Sequence, residues 1–392
     1  MDRYEQVEQL MEAFAERTGL VGQRRPRRYL WTDAFAVCNY LELHRALGND
    51  RFLDRATRLV TQVHDVLGAY AANDSRRGWL GGMDDGQHRR TPTRAGLRIG
   101  KSLPERSPAE PLDEQREWDR DGQYFHYLTR WMHALERVAE TTGEAHYHRW
   151  AAELALGAFN GFVKHPAATG SARMVWKMSV DLDRPLVASM GHHDPLDGWI
   201  TAQALAASTH ADGHEQRELR AQVSVYRNMF AFRDLATADA LGIGGLLVDA
   251  WRLFRIAPEM PDSKHGEVAA LIDAAAVGLD HLTGRGELDA PPSHRLAFRE
   301  VGLGIGVRAA QRLFEAARTR QPDPLLASLD RVVRSLPMAD RIERVWLQPE
   351  HRRVPVWIDH RDINDVMLAT SLAPDGYLGP APGSDAYTEA PP

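Results

Sequence analysis

Residues 117–127 read Glu-Trp-Asp-Arg-Asp-Gly-Gln-Tyr-Phe-His-Tyr, and they join a polar loop to a helix with a strong apolar period. The apolar side chains that share one face of this helix are Tyr124, Tyr127, Leu128, Trp131, Leu135 and Val138. Asp119 and Asp121 stand where the helix is predicted to begin. A carboxylate at that point accepts backbone N–H groups and meets the positive end of the helix dipole. The stretch therefore predicts a helix over 119–141 with acid at its start.

The same arrangement, an aromatic or histidine residue and acids ahead of a long apolar helix, occurs at five further places. These are residues 29–33, 192–197, 233–239, 294–300 and 359–365. Their unequal spacing argues against a solenoid with a fixed repeat, and each interval holds one further helix. The repeating unit is therefore predicted to be a helical hairpin with a loop of variable length.

Composition limits the classes of function. The 392 residues are 43% hydrophobic and include ten Trp, enough for a large core. A net charge of −6 gives no basic surface for nucleic acid or an anionic membrane. The single Cys38 excludes a disulfide framework and a cysteine zinc site. No run of about 18 apolar residues and no apolar leader is present, so we expect a soluble cytoplasmic protein.

Helices that are apolar almost all round alternate with amphipathic ones along the chain. They are predicted at 3–18, 29–47, 50–68, 119–141, 144–162, 195–208, 215–231, 238–256, 266–283, 294–318, 322–335 and 361–372. A helix buried on both sides needs partners on both sides. We therefore predict one all-α domain over 1–378, an (α/α)6 toroid of six hairpins around a central funnel, followed by a disordered tail at 379–392. An open α-solenoid and two separate bundles are the alternative packings.

The predicted long loops, 70–118, 163–193, 285–293 and 347–360, all lead from an outer helix to an inner one. They should therefore cluster on one face, together with the acid and histidine residues, and form the mouth of an active site. A small β-hairpin is allowed within them around 173–180, whose Val, Trp and Met residues suit a strand.

This organisation resembles the six-hairpin (α/α)6-toroid superfamily over nearly the whole chain. The residues at inner helix starts that carry the resemblance are Trp31 with Asp33, Trp118 with Asp119 and Asp121, His192 with His193 and Asp194, and His360 with Asp362. The superfamily includes glycoside hydrolases, unsaturated glucuronyl hydrolases and N-acylglucosamine 2-epimerase-like enzymes. The resemblance is architectural, carries no signature of one family, and implies a carbohydrate-active enzyme that needs no organic cofactor.

Glycoside hydrolysis requires two carboxyl groups on opposite sides of the scissile bond, about 5 to 9.5 Å apart. Asp119 or Asp121 from one inner helix could face Asp194, Asp197 or Asp362 from others. Because Asn caps a helix as well as Asp does, Asp119→Asn or Asp121→Asn should abolish turnover and change the melting temperature little.

Substrate contacts are predicted from aromatic and polar residues near the same helix starts. The aromatic candidates are Trp31, Trp118, Tyr124, Trp199 and Trp357, which could also be core residues. The polar candidates are Asp33, Gln123, His126, His192, Asp197, Arg295 and Arg361. Arg98 and Lys101 belong to a cationic, glycine-containing loop that could hold a uronate or phosphate, or could simply be solvated.

Histidines support rival functions. The 2-epimerase branch exchanges a sugar proton between two histidines, and the resemblance places His193 and His360 in those roles. A metal held by His192, His193, Asp194 and His360 is conceivable, but adjacent histidines cannot generally both ligate one ion, so no metal is predicted. A terpenoid-cyclase-like enzyme, whose acid motif residues 83–86 echo only faintly, and a non-catalytic binding scaffold complete the alternatives.

Overall fold

The computed structural model describes residues 2–165, 171–256, 262–319 and 325–380. The α-helices in this part of the chain are α1 Arg3–Arg17, α2 Leu30–Leu47, α3 Asp50–Leu67, α4 Asp85–Arg90, α5 Glu114–Glu117, α6 Phe125–Thr142, α7 Ala145–Phe162, α8 Asp194–Ala207, α9 Gly213–Arg227, α10 Ala240–Ile256, α11 Asp262–Arg285, α12 Ala297–Arg318, α13 Leu326–Val333, α14 Leu336–Leu347, α15 Pro355–Asp359, α16 Arg361–Leu372 and α17 Asp375–Leu378. The strands are β1 Gln123–Tyr124, β2 Val163–Lys164, β3 Arg173–Met174 and β4 Lys177–Met178. The predicted all-α class is confirmed.

Most predicted helices begin and end within a few residues of the observed ones, because their apolar period sets which face can be buried. The helix predicted over 322–335 corresponds to α13, and the helix that follows it, α14 up to Leu347, was not predicted. Residues 320–324 and the predicted tail after residue 380 lie outside the described residues.

The helix predicted over 119–141 begins six residues late, at Phe125, with Tyr124 as its N-cap. Gly122 has φ +142, a conformation that residues with a side chain rarely adopt, and β1 then pairs with another loop. Asp119 instead follows Trp118, the C-cap of α5. The prediction that Asp119 and Asp121 start or cap this helix was therefore wrong.

The alternation of fully and partly buried helices is confirmed. Every residue of α2 from Leu30 to Leu43 is buried. In α3 burial is confined to one stripe, which includes Phe52, Leu59 and Val63. A helix with the first pattern packs between neighbours, and one with the second keeps a face in solvent.

The chain divides into two compact units, which we call unit A (15–44 and 48–230) and unit B (1–14, 45–47 and 231–392). In unit A, α6 packs against α7 and α8, and α8 against α9. In unit B, α10 packs against α11 and α12, and α12 also packs against α13, α14 and α16. The predicted hairpins α6–α7, α8–α9, α10–α11 and α12–α13 thus form within these units. None of the described helices is long and apolar enough to cross a lipid bilayer.

Two long loops of unit A, 68–122 and the described part of the second at 171–193, interlock. Strand β1 pairs antiparallel with β4, placing Tyr124 opposite Lys177, and β2 pairs with β3. Residues 173–180 therefore do contain strand, as predicted, but β3 and β4 pair with strands outside this stretch and not with each other. The fully buried Gln123 side chain adds hydrogen bonds to the backbone of Leu97, Ala95 and Val180. These contacts fix the loops that carry the candidate site.

Candidate active site

A cavity of about 570 Å³ opens between the two loops of unit A. The residues that line it are Leu112, Glu114, Glu117, Trp118, His126, Trp176, Val187, Ala188, Ser189, Met190, Gly191, His192 and Asp194. Its volume suits a small ligand such as a sugar. Four of the residues predicted from the sequence, Trp118, His126, His192 and Asp194, thus lie around one cavity.

An aromatic platform forms one wall of the cavity. The rings of Trp118 and Trp176 stack with centroids 4.6 Å apart and an interplanar angle of 25°. Trp118 is 55% exposed, which is unusual for so large an apolar side chain. Trp176 is fixed from below, because its Nε1 donates to Ser189 Oγ at 2.9 Å. Trp176 was not predicted as a site residue. The signal for it in the sequence was its place in the stretch 173–180, whose residues suit a strand.

The start of α8 places Asp194 against the cavity. Asp194 is 5% exposed, and its carboxylate Oδ1 lies 3.5 Å from Nδ1 of His126 on α6. Oδ2 is buried and has no hydrogen-bond partner in the described structure. A buried acceptor without a partner costs free energy, so a ligand hydroxyl that donated to it would be stabilised.

Gly191 closes the other side of Asp194. A Cβ atom on Gly191 would lie 2.4 Å from Oδ2, so only glycine allows the carboxylate its present position. His192 is the next lining residue, and its ring lies 4.5 Å from that of His193, the N-cap of α8.

Two other predicted carboxylates are engaged in ion pairs. Asp121 is 2% exposed. Its carboxylate accepts a hydrogen bond from Arg98 Nη1 and another, at 3.0 Å, from the backbone N–H of Gly100. Asp197 accepts Arg130 Nη2 at 3.0 Å. Both acids connect separate segments of unit A, and these contacts stabilise the fold around the cavity.

A charged cluster lies beneath Trp118. Glu117 is 2% exposed and pairs with Lys177 Nζ at 2.8 Å and Arg106 Nε at 3.0 Å. Lys101 donates to Tyr124 Oη at 3.2 Å. The pKa of Lys101 is lowered to about 8, mainly by burial and next by the charge of Lys177, whereas nearby acids oppose the change. Glu117, Arg106 and Lys177 were not predicted as site residues.

Asp119 differs from the other acids of this loop because it is exposed. Its backbone N–H donates to the Arg116 carbonyl, and no hydrogen bond to its carboxylate is found among the described residues. It follows Trp118 directly in sequence and is not among the residues that line the cavity.

Several aromatic candidates are buried. Trp31, Trp199 and Trp357 are 7%, 3% and 2% exposed, and Trp357 stacks on Trp346 with centroids 5.4 Å apart. Tyr124 is 1% exposed and lies under the Trp118–Trp176 platform. Burial raises the pKa of Tyr124 well above its ordinary value, so its hydroxyl stays protonated.

The remaining candidates do not line the cavity. Asp33 Oδ2 accepts Tyr29 N at 2.9 Å at the start of α2. In unit B, Arg295 forms two hydrogen bonds with the buried Glu300. His360, Arg361 and Asp362 also belong to unit B, at the start of α16. The part of the chain that the structure describes contains no group of three or more acid, histidine or cysteine side chains arranged for a metal ion.

By sequence, no known protein family matches the chain, and no curated protein matches it. Solved structures do resemble the chain in their fold. The GH76A α-1,6-mannanase of Salegentibacter sp. HEL1_6 is 12% identical, and the likeness covers 95% of this chain and 99% of that chain with a TM-score of 0.53. The same values describe an inactive variant of that enzyme, with two consecutive aspartates changed to asparagine, in complex with α-1,6-mannotriose.

The GH76 α-mannanase of Bacteroides thetaiotaomicron is 8% identical, with 96% of each chain covered and a TM-score of 0.54. At these identities the likeness shows the fold. The predicted (α/α)6-toroid fold is thereby confirmed.

Proposed function

We propose that this chain is a glycoside hydrolase that acts on an oligosaccharide at the cavity of unit A. The observation that carries the proposal is the exposed Trp118, stacked on Trp176 beside the buried, partly unpartnered Asp194. A flat aromatic surface binds the apolar face of a sugar ring, and a carboxyl group beside it reaches the glycosidic oxygen. The fold shared with two mannanases supports the same class of reaction.

We assign the two carboxyl groups that hydrolysis needs to Asp194 and Asp119. Asp194 is enclosed against the cavity and acts as the proton donor to the leaving oxygen. Asp119 is open to solvent beside Trp118 and activates the attacking water. Asp121 and Asp197 are left out because Arg98 and Arg130 bind their carboxylates.

The Salegentibacter mannanase variant that is inactive has two consecutive aspartates replaced. In this chain consecutive aspartates occur only at Asp84 and Asp85. Asp84 caps α4 with Gln87, and Asp85 Oδ1 accepts Trp79 Nε1 at 2.8 Å. Both acids therefore hold local structure, and the proposal does not assign them the chemistry.

The proposal is tested with a panel of oligosaccharides, with α-1,6-mannotriose first and uronate-containing disaccharides included. The reaction is run in deuterium oxide and followed by reducing-end release and NMR. We expect new reducing ends without deuterium on any carbon that does not exchange spontaneously. No cleavage across the panel, or deuterium at a sugar carbon, would contradict the proposed hydrolysis.

Sugar epimerisation is the second candidate, and one observation favours it. His126 Nδ1 faces Asp194 at 3.5 Å at the cavity wall, an arrangement in which a carboxylate can orient a histidine for proton transfer. The predicted pair for this reaction, His193 and His360, stays a prediction. Enzyme-dependent deuterium incorporation that is lost in His126→Ala would support epimerisation.

Trp118→Ala is expected to weaken oligosaccharide binding about tenfold, seen as a higher KM with kcat changed less, because a sugar loses one stacked face. Trp118→Phe, which keeps a flat ring, should recover most of the loss. Steady-state kinetics and titration of tryptophan fluorescence measure both variants. An unchanged KM in Trp118→Ala would remove the platform from substrate binding.

A further inference from the structure

Large apolar side chains are exposed around the cavity of unit A. Eight large apolar residues are exposed in the described part of the chain, and Leu112, Trp118 and Met190 among them all line this cavity. They are 48%, 55% and 43% exposed. Stacking on a sugar ring accounts for Trp118, because its indole is flat. Leu112 and Met190 have no flat surface, so their exposure at the cavity needs another reason.

Leu112 and Met190 belong to different loops, and hydrogen bonds hold these loops together. The guanidinium of Arg106 donates to the backbone carbonyls of Glu110 at 3.0 Å and Leu186 at 2.9 Å. It therefore joins the segment that leads to Leu112, two residues further on, to the segment that leads to Met190, four residues further on. The two apolar side chains are thus presented together by backbone that the protein itself holds in place.

Most of the polar side chains that line the cavity are already engaged. Of its six acid, histidine and serine residues, Glu117 is bound by two cations, the Ser189 hydroxyl accepts the indole N–H of Trp176, and His126 contacts Asp194. Every sugar ring carries several hydroxyl groups, and a hydroxyl buried without a hydrogen-bond partner costs free energy. An apolar group has no such requirement and gains free energy by leaving water. The lining therefore suits one sugar ring with an apolar neighbour better than a row of sugar rings.

We propose that the oligosaccharide bound at this cavity carries an apolar group, an acyl chain or an alkyl aglycone, which packs on Leu112 and Met190 while Trp118 holds the adjoining sugar ring. The inference rests on the proposed function, because it names the class of substrate for the same cavity. Asp194 lines that cavity too, so the apolar group belongs to the molecule that is cleaved and not to a separate partner.

Isothermal titration calorimetry with methyl, butyl and hexyl glycosides of mannose and of glucose tests the proposal. A methylene group that is fully buried improves binding about fourfold, so the hexyl glycoside should bind about tenfold or more tightly than the methyl glycoside even with partial burial. The heat-capacity change on binding should become more negative along the series, because more apolar surface leaves water. Mannose esterified with butanoic or hexanoic acid forms a second series, and the series with the larger gain shows how the apolar group is attached.

Two variants test the named side chains. Leu112→Asn and Met190→Gln keep the size of each side chain and replace apolar atoms by an amide. The ratio of the methyl to the hexyl dissociation constant should fall about threefold or more in each variant, and further in the double variant. Leu47→Asn is the matched control, because Leu47 is 42% exposed and does not line the cavity, and it should keep the wild-type ratio. Each ratio compares two ligands on one preparation, so a fraction of unfolded protein does not alter it.

A chain-length gain that is absent from both series would overturn the proposal, and so would a gain that Leu47→Asn reduces as much as Leu112→Asn and Met190→Gln do. These titrations measure binding without turnover, so their failure is distinct from a failure of the proposed hydrolysis. Cleavage of unmodified oligosaccharides without any chain-length gain would refute only the apolar group. A clear gain with no cleavage across the oligosaccharide panel would refute only the hydrolase proposal.

Discussion

Asp194→Asn should lower kcat/KM for the cleaved oligosaccharide by about 10³-fold, within the range that loss of a general acid produces. An amide has nearly the same shape as the carboxyl group but cannot donate its proton to a leaving oxygen. The variant should still bind substrate, because the Trp118–Trp176 platform is unchanged. Initial rates and a binding titration with the same oligosaccharide measure the two effects separately.

Gly191→Ala is the control that moves the carboxyl group of Asp194 without removing it. Its methyl carbon would lie 2.4 Å from Oδ2 of Asp194, so the carboxylate must turn away from its position near His126. We expect a large loss of kcat with the carboxyl group still present. A fully active Asp194→Asn enzyme would remove Asp194 from the mechanism, whatever Gly191→Ala does.

Asp119→Asn is expected to lower kcat by a comparable factor, about 10³-fold, because water is then activated by no base. Its effect on the melting temperature should be small, since Asp119 is exposed and its carboxylate accepts no hydrogen bond among the described residues. Kinetics and a thermal melt of the same preparation test both statements.

Asp121→Asn is the control that separates chemistry from structure. It removes one partner of the buried pair with Arg98, which typically costs about 3–5 kcal/mol of unfolding free energy. The expectation from the sequence, that Asp121→Asn leaves stability unchanged, is therefore replaced by a marked fall in the melting temperature. If the Asp119→Asn variant of the preceding prediction retained full activity, the proposed role of Asp119 as the general base would be disproved.

The helical part of the fold was predictable from the sequence. The apolar period of α3, α7 and α10 marks which faces are buried, and a helix ends where that period stops. The nearly wholly apolar α2 is buried on all sides over most of its length. The same reasoning predicted that loops and acids collect ahead of the inner helices. It failed at 119–124, where the loop is held by long-range strand pairing that no local pattern records.

The site was predictable in part. Trp118, His126 and Asp194 follow from their places at inner helix starts, and the cavity brings them together. Trp176 and Lys177 did not follow, because they reach the site from a loop more than fifty residues away, through the pairing of β4 with β1.

The sequence by itself determined the helices, their order and the kinds of side chain available for chemistry, because these depend on residues close together in the chain. It offered Asp119 and Asp121, facing Asp194, Asp197 or Asp362, as candidate carboxylates. Only the tertiary structure distinguished them, by placing Arg98 on Asp121 and Arg130 on Asp197 while leaving Asp119 in solvent. Which charges neutralise one another depends on distances of a few ångströms between segments far apart in sequence, and these distances exist only once the chain is folded.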